Sequence, residues 1–224
     1  MQLLNHKKLH IVAGRATAEL VADICRELDV VQGTPNIAEF ANGEIHVKYG
    51  DSIRGSDVFI VQTHTAWDGR SINDSIMEHL IMVDAAKRAS AKRITAVAPF
   101  YGYSRQDRKA SGREPITARL IADLFHAAGA DRLISVDLHS GQIQGFFRNM
   151  PVDNLQMSNE FGKFITAQPW FDPKTTVIVS PDAGGVERAT IVADLVNASH
   201  VVTILKRRVE DNKVESMQTV GNVE

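Results

Sequence analysis

Two hydrophobic rhythms take turns along this chain: short β-branched runs with a period of two, and longer stretches with apolar residues three and four apart. Residues 9–13 (Leu-His-Ile-Val-Ala) read as a strand, Gly14 as a turn, and Thr17 as the N-cap of a helix over residues 18–28. Residues 36–40, 45–49 and 57–61 alternate as further strands, and Asn42-Gly43 is the hairpin signal between the first two. After a polar stretch at residues 64–71, a helix carries Ile76, Leu80, Val83 and Ala86 in one apolar stripe. Its Met77, Ile81 and Met82 are expected in the core in preference to a subunit contact. Residues 94–98 form a buried strand, stopped by Pro99, which lacks a ladder donor, and by Gly102. Pro115 suits the first turn of a helix over residues 116–128, which Gly129 caps, and residues 133–138 form the next strand.

The pattern then restarts. Residues 154–166 are predicted helical, 169–173 a connector, 175–179 a strand, 186–197 a helix and 200–205 a strand. Lys206-Arg207-Arg208 reads as a basic loop, and residues 214–217 with Val220 begin another strand. Strand, proline, polar loop and helix recur in both halves, as in residues 95–99 and 177–181. Strands alternating with helices in this way predict an α/β fold built on parallel sheets. We divide the chain into two related α/β domains, residues 1–153 and 154–224.

Composition narrows the classes of function. A chain of 224 residues can bury a sizeable core, and a formal charge of −2 argues against wide contact with a phosphate backbone. No nucleic-acid partner is expected. Cys25 is the only cysteine, which excludes an internal disulfide and a cysteine-rich zinc site and suits a reducing compartment. The apolar stretch after His6-Lys7-Lys8 is too short for a signal peptide, and no run approaches the ~20 residues of a membrane span. The expectation is a cytoplasmic protein without a membrane partner.

The chemistry concentrates after strand ends. Arg105, Asp107, Arg108 and Lys109 place four charges within five residues just beyond the strand at 94–98, where ligands sit in open α/β sheets. Gly14-Arg15-Ala16-Thr17 lacks the spacing of a phosphate loop and reads as a plain βα turn. Asp137 and His139 are two apart at the end of a predicted strand, which would put them on one face. Such a pair either holds a divalent cation or is a satisfied structural pair.

Three segments together resemble the ribose-phosphate pyrophosphokinase family, also called phosphoribosyl pyrophosphate synthetases. They are Tyr-Ser-Arg-Gln-Asp-Arg-Lys at residues 103–109, Val-Asp-Leu-His at 136–139 with Gln-Ile-Gln-Gly-Phe-Phe at 142–147, and Ser-Pro-Asp-Ala-Gly-Gly at 180–185. The resemblance runs through essentially the whole chain. It implies two phosphoribosyltransferase-like α/β domains with mainly parallel sheets, the second incomplete, and hexamers built from dimers. It also implies transfer of the pyrophosphoryl group of ATP to ribose 5-phosphate, giving 5-phosphoribosyl diphosphate and AMP, with Mg2+.

Residue roles follow from the same resemblance. Arg105, Gln106 and Asp107 correspond to the loop that grips ATP. Phe40, Asn42, Gly43 and Glu44 correspond to a segment that reaches adenine across a dimer interface, with Asn42 standing where the family has aspartate. His139 and Asp182 correspond to magnesium-linked positions, with Asp137 as a further candidate, and Lys206 and Arg208 to a mobile catalytic loop. Arg148 stands where the family carries an aspartate, while Asp153 is kept. The family's ribose-phosphate loop belongs after residue 224, so this chain is expected to correspond to the first two thirds of a synthetase and to be inactive alone. The alternative is a non-catalytic synthetase-associated subunit that binds nucleotide and oligomerises.

Overall fold

The structure, a computed structural model, describes residues 9–208 and 214–221, leaving aside the side chains of residues 206–208 and 214–218. The chain falls into two units, residues 1–155 and 156–224. The first runs β1 (Leu9–Ala13), α1 (Ala18–Glu27), β2 (Gln32–Gly33), β3 (Asn36–Glu39), β4 (Ile45–Lys48) and β5 (Asp57–Val61). It continues with α2 (Ile72–Arg88), β6 (Arg93–Ala98), α3 (Thr117–Ala128), β7 (Arg132–Val136) and β8 (Val152–Leu155). Six of these strands form one parallel sheet in the order β2-β1-β5-β6-β7-β8, and β3 and β4 form a separate antiparallel hairpin.

Strand alternation decides which helix covers which face. Val12, Val58, Ile60, Ile94, Ala96 and Ala98 share one core with Met82 and Val83 of α2 and Phe125 of α3. Their odd-numbered neighbours Ile11 and Val61, with Phe59 and Val97, pack instead with Val21 and Cys25 of α1. Helices therefore lie on both faces, as a parallel sheet requires. The α/β class and the parallel main sheet agree with the sequence-based expectation.

Several local expectations give way to tertiary bonding. Thr17 stands at the N-cap position of α1 as expected, but its side chain does not cap the helix: its hydroxyl donates to Val61 O at 2.6 Å, tying the turn after β1 to the end of β5. The predicted helix at 154–166 starts late, because residues 152–155 pair with β7 as the edge strand β8. Met82 is fully buried as expected, but Met77 is half exposed. Asn42-Gly43 does close the β3–β4 hairpin, with Gly43 at φ +89.

The second unit contains α4 (Ser158–Thr166), β9 (Val177–Ser180), α5 (Val186–Val196), β10 (His200–Arg208) and β11 (Val214–Val220). Its sheet has the order β11-β10-β9, with β9 parallel and β11 antiparallel to β10. Residues 206–208 are thus a continuation of a strand and not a basic loop, because β11 supplies a partner ladder. Among the described residues, no helix is long and apolar enough to cross a membrane.

One polar pair sits inside the first unit's core. His64 and His79 are fully buried, 3.1 Å apart from Nε2 to Nδ1, and pack around Phe125. The Gly102 N–H donates to His64 Nδ1, so His64 carries its proton on Nε2 and donates it to His79; His79 Nε2–H then donates to Ile60 O. This arrangement works only with both rings neutral. Burial holds His79 down to about 3 and pushes His64 well below its ordinary value, with His79 adding to the effect. Unfolded, both rings titrate near ~6.5, so the stability they confer is complete above that pH and is lost as the pH falls below it. The slope reaches up to ~1.4 kcal/mol per pH unit for each ring. Urea unfolding should therefore show a steep drop in stability from pH 6.5 to 4.5, with uptake approaching two protons from this pair. A profile of half that slope would mean that one ring is charged in the fold, and a flat one that both titrate there as they do unfolded.

Candidate functional site

All six strands of the main sheet run the same way, so their carboxyl ends open along one edge. The chain leaves β1 towards β2 and later returns on the other side as β5, which puts the reversal of direction between β1 and β5. Crevices at such points are where ligands of open sheets bind. Here the carboxylate of Glu78, from α2, closes that point. It accepts from the Arg15 backbone N–H at 2.7 Å, Arg15 Nε at 2.6 Å and Gln62 Nε2 at 2.9 Å, and is 1% exposed. Gln62 in turn accepts from Ala16 N–H at 3.1 Å.

The same arginine reaches the hairpin. Arg15 Nη2 lies 2.7 Å from Glu39 Oε1, an ion pair whose N–H is not aligned for a hydrogen bond. Arg70 Nε donates to the same oxygen at 2.9 Å, and both guanidinium groups lie over the ring of Trp67. Arg70 foremost and Arg15 next hold the Glu39 carboxyl below its ordinary range. Trp67 and Arg70 exchange backbone bonds around Asp68-Gly69, both at positive φ, in the manner of a primed turn. The sequence reading does not single out Glu39, Trp67, Arg70 or Glu78. Two signals were present: the Asp-Gly turn, and the charged Glu78 with His79 inside the buried side of α2.

Much of the loop after β6 is held by hydrogen bonds to its neighbours. Gly102 N–H is held by His64 at 3.0 Å, and Tyr103 Oη donates to Asn73. Gln106 accepts through its backbone oxygen from Ala118 N–H and through its side chain from the Thr117 hydroxyl. Asp107 is buried, its Oδ2 taking Ser140 Oγ at 2.6 Å and Gln142 Nε2 at 2.9 Å. Arg105 is exposed, and its guanidinium pairs with no described residue. Arg108 and Lys109 are exposed as well, so this loop, held at Gly102 and Asp107, presents three cations to solvent.

Other expected site residues fall as follows. Phe40 is exposed beside His46 at the hairpin end, Asn42 Oδ1 accepts from Glu44 N–H at 3.2 Å, and Glu44 is exposed. Asp137 lies beyond the end of β7 at φ +44, a left-handed turn. The alternation that would have put Asp137 and His139 on one strand face therefore does not apply. Asp137 N–H bonds Leu155 O instead, and His139 is exposed. Asp182, in the second unit, caps the turn before α5 by accepting from Gly185 N–H at 3.0 Å. Among the described residues no three His, Cys, Asp or Glu side chains gather as a metal cage. Lys206 and Arg208 have side chains outside the described residues. Arg148, the departure noted above, lies 3.9 Å from Asp123.

Comparison with known proteins decides the family. The family model for the N-terminal domain of ribose phosphate pyrophosphokinase matches residues 9–129. The chain belongs to the ribose-phosphate pyrophosphokinase family. It is 47% identical over 220 residues to the ribose-phosphate pyrophosphokinase of Clostridium perfringens, covering 98% of this chain and 67% of that one. It is 48% identical over 221 residues to the Mycobacterium tuberculosis enzyme, covering 98% and 66%. The crystal structure of phosphoribosylpyrophosphate synthetase from Mycobacterium smegmatis superposes with a TM-score of 0.85 at 46% identity, over 97% of this chain and 68% of that one. The chain thus spans about two thirds of the length of these family members.

The crowding at the closed reversal point yields a test. A Cβ on Gly14 would sit 2.3 Å from Gln62 Oε1, and Gln62 cannot swing away without orphaning Glu78 and Ala16. Gly14→Ala should therefore destabilise the chain by ~1–3 kcal/mol. Gly145→Ala, where a Cβ meets nothing within 4 Å, should change the melting temperature little. Similar melting temperatures for the two variants would show that the Gln62 side chain is free to move.

Proposed function

We propose that this chain carries the nucleotide-handling part of a ribose-phosphate pyrophosphokinase. The reaction passes the β,γ-pyrophosphoryl group of ATP to the anomeric hydroxyl of ribose 5-phosphate, giving 5-phosphoribosyl diphosphate and AMP. The observation that carries the reading is the loop at the carboxyl end of β6, held at Gly102 and Asp107 and presenting Arg105 to solvent, in a chain of this family.

Arg105 and Gln106 grip the polyphosphate in this proposal, because a guanidinium offers paired donors to phosphate oxygens. Asp107 serves through its bonds to Ser140 and Gln142, which set the loop's pose. The hairpin residues Phe40, Asn42, Gly43 and Glu44 meet adenine from a neighbouring protomer, in a dimer-built hexamer working in the cytoplasm. Asn42 can only partly replace an aspartate there, since its amide lacks the charge.

His139, with Asp137 near it in the first unit, and separately Asp182 in the second unit are the residues we assign to magnesium-linked positions. An exposed carboxylate such as Asp182 suits a hard cation that takes oxygen ligands, keeps several waters and arrives on the substrate's phosphates. When bound, the cation would neutralise phosphate charge in a transfer that depends on positioning and electrostatics more than on covalent help. Lys206 and Arg208 meet the charge that develops on the transferred group.

Two variants test these roles in a chain extended to the full length of its relatives. Arg105→Ala should weaken ATP binding by roughly 10–100-fold in calorimetry, the loss of a charge-assisted contact. Unchanged affinity would remove Arg105 from the nucleotide site. Lys206→Ala should lower kcat by ~10²–10³ with the KM for ATP little altered. A defect confined to ATP affinity would move Lys206 from the catalytic to the binding group.

A further inference from the structure

The buried histidine pair reaches the loop after β6. His64 follows β5 and is bonded twice to the turn after β6: its N–H donates to Phe100 O at 3.1 Å, and its Nδ1 accepts from Gly102 N–H at 3.0 Å. Gly102 is the residue from which the Arg105 loop departs. A Cβ there would come within 2.9 Å of both His64 Cβ and Ile76 Cδ1, so the backbone lies directly against the imidazole. Behind His64, the second ring is fixed to Ile60 O, in the middle of β5. The chain of donors thus runs from the loop into the sheet's centre with a single arrangement of protons.

We propose that His64 is a positioning residue for the nucleotide loop, holding the Gly102 turn so that Arg105 stands preformed for the polyphosphate. The inference rests on the reading of Arg105 as a nucleotide contact. Two buried imidazoles are an expensive way to fill a core, since each must find partners for two ring nitrogens. An apolar pair would fill the same space but would leave the Gly102 N–H without an acceptor. On the far side of Arg105, Gln106 and Asp107 are held by α3 and by the loop after β7. Before Arg105, the ties are His64 on Gly102, the bond of buried Tyr101 to Ala118 O and the Asn73 contact of Tyr103; of these, only the first holds the Gly102 backbone itself. Releasing Gly102 would let the loop sample other poses, and ATP binding would then have to order it.

Two near-isosteres separate the bonds of His64. His64→Asn keeps an acceptor near the Nδ1 position and loses the link to His79; His64→Gln reaches towards His79 and loses the acceptor for Gly102. Both should melt below the parent. In calorimetry with ATP, His64→Asn should bind within about twofold of the parent and His64→Gln roughly tenfold more weakly, a loss typical of one hydrogen bond. Hydrogen exchange should show the Gly102 amide protected in the parent and in His64→Asn, and fast in His64→Gln. Equal ATP affinity in the two folded variants, beside a weakened Arg105→Ala, overturns the positioning role alone. Normal affinity in Arg105→Ala overturns the nucleotide reading and this one with it. Should neither His64 variant fold, a fast-exchanging Gly102 amide in the parent overturns the proposal and a slow one supports it.

Discussion

The carboxylate of Glu78 is a charge buried at the point where the turn after β1, the end of β5 and the first turns of α2 come together. Taking a carboxylate out of water costs several kcal/mol even after the protein relaxes. Here the loss is offset by three donors, two of them from Arg15, at 2.6–2.9 Å. The consequences spread outward. Arg15 is pinned, so its Nη2 meets Glu39 at the loop end of the β3–β4 hairpin. Gln62 is pinned, so Gly14 must lack a side chain. A crevice that a parallel sheet would ordinarily offer to a ligand is closed by the protein's own ion pair.

With that point closed, the exposed chemistry of the first unit shifts along the edge to the loops after β6 and β7. Those loops share one design. Polar side chains that could contact a ligand are largely used to bond neighbouring loops, as Asp107 is by Ser140 and Gln142. The nucleotide role proposed for Arg105 would gain from this, because a fixed loop has little freedom left to lose on binding. In the core behind the loop, the neutral histidines pass one directed set of hydrogen bonds from the sheet to Gly102.

What could be read without coordinates was whatever depends on neighbours in sequence. Short β-branched apolar runs located β1, β5 and β6 because both faces of a parallel sheet are apolar, and the three-four spacing located α2 and α3. Asn42-Gly43 gave the hairpin because a left-handed residue is a local demand. The family was legible for the same reason, since its marks are contiguous segments such as residues 103–109. Contacts across many residues decided the rest. Residues 152–155 became a strand because β7 offered a ladder, and residues 206–208 stayed in a strand because β11 did. Asp137 and His139 parted company because a left-handed residue ended β7 early. Glu78 and Arg15 are 63 residues apart, and no spacing rule connects them. Sequence by itself determined the order and kind of the elements and the charged loops at strand ends. Only the tertiary structure decided which charges are spent inside and which face solvent, because burial and hydrogen-bond partners are properties of the packed chain.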